Sequence, residues 1–227
     1  MKLAVFLSGG GSNLQSMIDK VESGALAAEI GLVLSNKPDV FGVERAKKHG
    51  IETVVVSHKD FGSREEFDRE LVRQVKAAGC DTVALAGFMR VLTSVFLEAF
   101  PGRVVNIHPA LLPSFAGIRG QGDAADHGVK LAGCTVHFVD EIMDHGPIII
   151  QAAVPVVAGE GGDTLGKRIL ALEHRCYPQA LQWLAEGRLR IEGRHVFLDG
   201  EPKNSGAGES ESGDGGYIVN PPLEKGF

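Results

Sequence analysis

Residues 3–13 read LAVFLSGGGSN, and this stretch decides how the rest of the chain is read. The apolar run from Leu3 to Leu7 is too short for a buried helix and suits a strand covered on both faces. Ser8-Gly9-Gly10-Gly11-Ser12-Asn13 follows at once. Glycine lets the backbone turn tightly and exposes its N–H groups, and a helix N-terminus just beyond adds partial positive charge. Strand, glycine turn and helix in that order open an α/β fold whose first loop can take an anion, phosphate above all. Ser12 can add a hydroxyl donor and Asn13 an amide. Two familiar phosphate loops are excluded. No Gly-Lys-Ser/Thr is present, and Leu14 stands where a dinucleotide fingerprint has its third glycine. The following strand ends in Ser35-Asn36-Lys37, without an acid for a ribose diol. A signal peptide is a poorer reading of the same segment. The apolar run falls short of the roughly 7–15 residues of a signal core, and no small-residue cleavage site follows.

Working outward, short apolar runs at residues 30–34, 53–56, 82–86, 104–107, 134–139 and 148–157 predict further strands. Amphipathic stretches at 12–22, 42–49, 63–78, 93–99 and 164–186 predict helices. In the third of these Phe67, Leu71, Val72 and Val75 fall at helical spacing. The last carries Leu165, Ile169, Leu172, Cys176, Leu181 and Leu184 and stops at Gly187. Ile191 and residues 196–198 flank a small hairpin. The expected fold is a doubly wound α/β domain. It has a mostly parallel sheet of about seven strands with helices on both faces, and ligands sit beyond the carboxyl ends of the strands.

The 227 residues suit one domain over 1–200 and a tail over 201–227. The tail is rich in Gly, Ser and acid, and disorder is expected of it. A net charge of −6 makes the chain a poor nucleic-acid binder. No apolar run reaches the ~18 residues of a membrane span. Cys80, Cys134 and Cys176 are widely spaced, form no metal or redox motif, and suit a reducing, cytoplasmic setting.

Two segments carry candidate chemistry. Val104-Val105-Asn106-Ile107-His108-Pro109 leaves a buried strand. Asn106 and His108 are two apart and point to one side at its carboxyl end, and Pro109 stops the strand. A histidine handles protons near neutral pH, and an amide beside it can donate to a developing oxyanion. Residues 139–147, VDEIMDHGP, join two apolar runs and place Asp140, Glu141 and Asp144 in one tight loop. A carboxylate near His108 would favour the imidazolium and orient the ring. Solvated loop acids and a structural histidine are the plain alternatives. His137, on the preceding run, reads as core or surface.

Taken with AGFMR at residues 86–90, NIHPALLP at 106–113 and LEHRCYP at 172–178, these segments resemble the folate-dependent formyltransferase superfamily. The likeness covers roughly residues 1–200 and is nearest to its purine-synthesis branch. The resemblance implies a Rossmann-type fold and a cytoplasmic enzyme, monomer or weak homodimer, that uses no metal. It would move the formyl group of 10-formyltetrahydrofolate, a co-substrate, to the amine of glycinamide ribonucleotide. It implies Asn106, His108 and Asp144 as the catalytic trio, with Asp144 tuning His108. Gly11, Ser12 and Asn13 would hold the phosphate and Glu173 the rest of the ribonucleotide. Arg64, Met89, Arg90, Val91, Leu92, Asn106, Asp140, Glu141, Ile142, Met143 and Asp144 would hold the folate. Leu170 departs from the family pattern, which has a polar substrate-binding residue there, and residues 117–122 are a glycine-rich variant of a bulkier segment, expected to form a flexible lid. The rival readings are a sibling formyl-group enzyme, a non-catalytic nucleotide- or folate-binding module, and a nicotinamide oxidoreductase. A tRNA-directed sibling would carry a basic C-terminal domain in place of the acidic tail, and a formyltetrahydrofolate hydrolase an N-terminal regulatory domain.

Overall fold

The computed structural model describes residues 1–200 and 216–227, and the backbone of Glu209–Glu211. Residues 201–208 and 212–215, where much of the expected disorder was assigned, lie outside the described residues. The chain divides into two compact units, Met1–Asn106 with Phe138–Glu141, and Ile107–His137 with Ile142–Phe227.

The first unit is built on parallel strands β1 (Lys2–Leu7), β2 (Glu29–Ser35), β3 (Thr53–Val55), β4 (Thr82–Leu85) and β5 (Val104–His108). Between them run helices α1 (Ser12–Glu22), α2 (Phe41–Lys48), α3 (Arg64–Ala77) and α4 (Ser94–Ala99). The strand order is β5-β4-β1-β2-β3. The chain therefore winds outward from β1 to β3, then returns to the other side of β1 for β4. Right-handed crossovers put α1 and α2 on one face and α3 and α4 on the other. The strand sequences obey this double cover. Ala4, Phe6, Leu32, Leu34, Val83 and Leu85 form one core with Phe67, Leu71 and Val75 of α3 and Phe96 of α4. The alternate residues Leu3, Val5 and Leu7 face the other way and are also fully buried. Phe6 anchors the first core through edge contacts with Phe88 and Phe96. The reversal of winding lies between β1 and β4, so the loops leaving those strands flank a topological switch point.

In the second unit α5 (Gly120–His127) precedes an antiparallel pair, β6 (Leu131–Phe138) and β7 (Ile148–Pro155), and a long helix, α6 (Gly162–Ala185). Strands β8 (Leu189–Glu192) and β9 (His195–Leu198) form the expected hairpin. The lid expected over 117–122 thus contains the start of a helix. Leu165, Ile169, Leu172, Cys176, Tyr177, Leu181 and Trp183 of α6 are buried, as their spacing requires. Strands β10 (Glu209–Glu211) and β11 (Tyr217–Asn220) complete the unit, with β11 antiparallel to β7.

The α/β class and the mostly parallel strand set match expectation, and β1 to β7 are the seven strands foreseen. The tail corrects it. Strand β11 pairs along the β7 edge through Ile218, Val219 and Asn220, with Val219 fully buried, so a stretch expected to be disordered contains a strand. Its aromatic and β-branched residues fit a pleated, half-buried surface, whatever the composition around them. Among the described residues no helix is long and apolar enough to cross a membrane.

Candidate active site

The glycine loop leaves β1 at the switch point. Gly11 takes the left-handed conformation, φ 69°, and caps α1, so its glycine is required by geometry. A Cβ built there would lie 2.7 Å from the Gly42 Cα, while one at Gly9 or Gly10 would meet nothing within 4 Å. Gly9 is half-buried, so the open space beside it is left by the fold without a protein neighbour. Two donors of α2 hold the outer carbonyls of the loop. Gly42 N–H donates to Gly9 O at 3.0 Å and Arg45 Nε to Gly10 O at 3.0 Å.

Next to this loop lies the segment that leaves β4. Ser8 binds the two together: its N–H donates to Gly87 O, and its hydroxyl accepts from Met89 N–H at 2.8 Å and donates to Asn36 Oδ1 at 2.6 Å. From α3, Arg64 donates to Val91 O at 3.1 Å. One turn on, Asp68 Oδ2 accepts from both the N–H and the hydroxyl of Thr93, at 2.6 and 2.7 Å. Burial pushes the Asp68 carboxyl above its usual range, against those bonds and the Arg64 charge. Leu92 is buried and Arg90 half-buried, while Met89 and Val91 stand exposed. The sequence-predicted residues Arg64 and Met89 to Leu92 are thus brought together; Gly11, Ser12 and Asn13 lie one strand over.

In the second unit His108, 3% exposed, ends β5. Its Nδ1 lies 3.4 Å from Asp144 Oδ2, and its Nε2 2.8 Å from Phe115 O. Both ring nitrogens face oxygen acceptors, and the imidazolium offers a donor to each. Asp144 takes a left-handed φ of 53° and accepts from Gly117 N–H at 2.8 Å. His137 Nε2 lies 3.9 Å from Asp144 Oδ1, so this buried histidine, read from sequence as core or surface, borders the His108–Asp144 pair. The loop after His108 is clamped by Thr135. Its hydroxyl donates to Ala110 O at 2.7 Å and accepts from Leu112 N–H at 3.1 Å and from Gln151 Nε2 at 2.9 Å.

The remaining predicted residues are placed as follows. Asn106 is half-buried on β5, two positions before His108 and paired in register with Leu85. Asp140 is half-buried and Glu141 exposed. Ile142 and Met143 are exposed beside Asp144. Glu173 is buried on α6, and Leu170 is half-buried one turn before it. Ser8, Thr135, Gln151 and the Phe115 carbonyl were not foreseen; main-chain contacts leave no mark in residue identity. Cys80, Cys134 and Cys176 are free and buried. Among the described residues no cluster of three or more His, Cys, Asp or Glu could hold a metal ion.

Comparison with known proteins assigns the chain to a family. Residues 1–181 match the formyl transferase family, and the chain belongs to it. It is 42% identical to phosphoribosylglycinamide formyltransferase of Escherichia coli strain K12, over 88% of this chain and 95% of that protein. It is 50% identical to the trifunctional purine biosynthetic protein adenosine-3 of Drosophila melanogaster, over 84% of this chain. The match spans only 14% of that much longer relative. Among solved structures, glycinamide ribonucleotide transformylase 1 from Symbiobacterium toebii superposes with a TM-score of 0.86 at 46% identity, over 87% of this chain and 93% of that one.

Proposed function

We propose that this formyltransferase moves the formyl group of 10-formyltetrahydrofolate to the amine of glycinamide ribonucleotide. The observation that carries the reading is the buried His108–Asp144 pair at the end of the strand that bears Asn106. The likeness to relatives named for this acceptor supports its identity.

In this reading the glycinamide nitrogen attacks the formyl carbon, and the carbonyl electrons move onto oxygen. His108 Nε2–H and the Asn106 amide donate to that oxyanion, which needs the Nε2 proton to exchange Phe115 O for the formyl oxygen. Asp144 balances the imidazolium charge and holds the ring. The carbon–N10 bond of the folate then breaks as the oxyanion collapses. The proton lost by the attacking amine passes to N10 by way of Asp144 or water, giving the formamide and tetrahydrofolate. Gly11, Ser12 and Asn13 take the phosphate, and Glu173 the ribonucleotide. Arg64, residues 89–92 and residues 140–144 take the folate; Met89 and Val91 are exposed in the first unit, and Ile142 and Met143 in the second. The residues assigned to catalysis and binding all lie within 1–200, and β11 of the tail pairs with β7 of the second unit. Three buried free thiols suit a cytoplasmic enzyme.

The test is the absorbance of the released folate with glycinamide ribonucleotide, methionyl-tRNA or water as acceptor. Turnover with the ribonucleotide alone is expected. Turnover with either rival and none with the ribonucleotide would replace this reading by a sibling activity.

A further inference from the structure

We propose that Arg45 is a positioning residue of the glycine loop, one that sets the affinity for the substrate phosphate without touching the reacting atoms; this rests on the loop being the phosphate site. The argument begins with the peptide bond. A trans peptide points its C=O and the next residue's N–H in opposite directions, so fixing one aims the other. Gly9 O is held by Gly42 N–H at 3.0 Å, which turns the Gly10 N–H away from α2. Gly10 O is held by Arg45 Nε at 3.0 Å, which turns the Gly11 N–H the same way. Gly11 O accepts Gln15 N–H at 3.0 Å inside α1, so the Ser12 N–H points out of that helix. Three successive N–H groups are thereby aimed off the loop, a nest for an anion.

Of these anchors only Arg45 works through a side chain, and that side chain is itself held. Arg45 Nη1 donates to Gln15 Oε1 at 3.1 Å, and the guanidinium lies 4.6 Å from the centre of the Phe41 ring. Behind the loop, Gly42 sits against Gly11 with no room for a Cβ on either. The backbones of α1 and α2 therefore meet in contact, and Arg45 spans that contact to the one carbonyl the glycines leave unanchored. Without it the Gly10–Gly11 peptide is free to rotate, since neither flanking glycine restricts it.

The experiment compares the parent with Arg45→Met and Arg45→Lys, using glycinamide ribonucleotide and the matching riboside that lacks phosphate. Arg45→Met keeps the stem over Phe41 and loses the donors. Its KM for the ribonucleotide should rise by roughly tenfold or more, the loss of one charge-assisted bond, with kcat, the KM for folate and the KM for the riboside kept. The rise should persist in high salt, where a merely long-range attraction would be screened. Arg45→Lys, which keeps a charge and one donor for Gly10 O, should recover most of the affinity. An unchanged ribonucleotide KM in Arg45→Met, an equal rise for the riboside, or a rise that salt abolishes would overturn the proposal. If Arg45→Met does not fold, failure of Arg45→Lys to hold a near-parent KM would do the same. A parent enzyme that does not formylate the ribonucleotide at all would instead overturn the functional reading.

Discussion

His108 meets an oxygen at each ring nitrogen, Asp144 on one side and the Phe115 carbonyl on the other. The first contact was foreseeable, because a histidine at a strand end and an acid in the next tight loop are both visible in residue identity. The second was not, because it depends on how residues 109–117 fold back. The glycines show the same division. Three in a row suggest an anion loop, and the structure separates their conformational duties. Gly11 is held by a positive φ and by the Gly42 backbone, so Gly11→Val would deform the loop before it filled any ligand space. Gly9 has neither constraint and faces open, half-buried space. Gly9→Ala should therefore melt with the parent and raise the KM for the ribonucleotide, whereas Gly11→Ala should cost about 2 kcal/mol or more of stability through its left-handed φ and the close contact. Thermal melts beside steady-state kinetics check both. A Gly9→Ala enzyme with parental KM would remove that space from the site.

At the scale of elements, α3 fastens the segment that follows β4. Ser63 caps the helix by accepting Glu66 N–H, and Arg64 and Asp68, four apart on one face, hold Val91 and Thr93. The helix is readable from its apolar spacing, but nothing in that spacing marks Asp68 as anything other than a charge on the helix. Asp68 is a buried acceptor whose carboxyl is pushed up by desolvation. The folded state then binds that proton more tightly than the unfolded chain. The stability this confers is fully present below the ordinary value of 3.8 and is lost as pH rises through the raised one. Both Thr93 bonds go to the same oxygen, Oδ2, so an asparagine can accept them through its single carbonyl. Asp68→Asn should accordingly melt at or above the parent near pH 7, the gap closing toward about pH 4 as the parental carboxyl protonates. Melting curves across that range decide it. A variant clearly less stable at pH 7 would mean the ionised form is preferred.

Across the whole molecule, the departure from sequence expectation lies at the C-terminus. The Gly, Ser and acid content of residues 201–216 suggests disorder for the whole tail, and the strand at Tyr217–Asn220 departs from that expectation. Beyond β11 the chain returns to α6. Glu224 accepts from Trp183 Nε1 at 3.0 Å and Arg188 Nη1 at 2.7 Å, its N–H donates to Gln179, and Tyr217 lies under Arg175. No residue pattern could reveal partners about forty positions away. Removing residues 216–227 should expose the β7 edge and cost about 2–4 kcal/mol, a fall of several degrees in Tm. An unchanged Tm would show that the segment adds nothing to the fold. The parallel strands, including the one that ends at His108, were legible, because burial on two faces writes itself into continuous apolar runs. What they jointly support is formyl transfer at His108. The direct measurement is formation of formylglycinamide ribonucleotide by the parent and by His108→Ala at saturating substrates. The account predicts parental turnover and a loss of about a thousandfold or more in the variant, with the KM for the ribonucleotide little changed. Near-parental turnover by His108→Ala would contradict it.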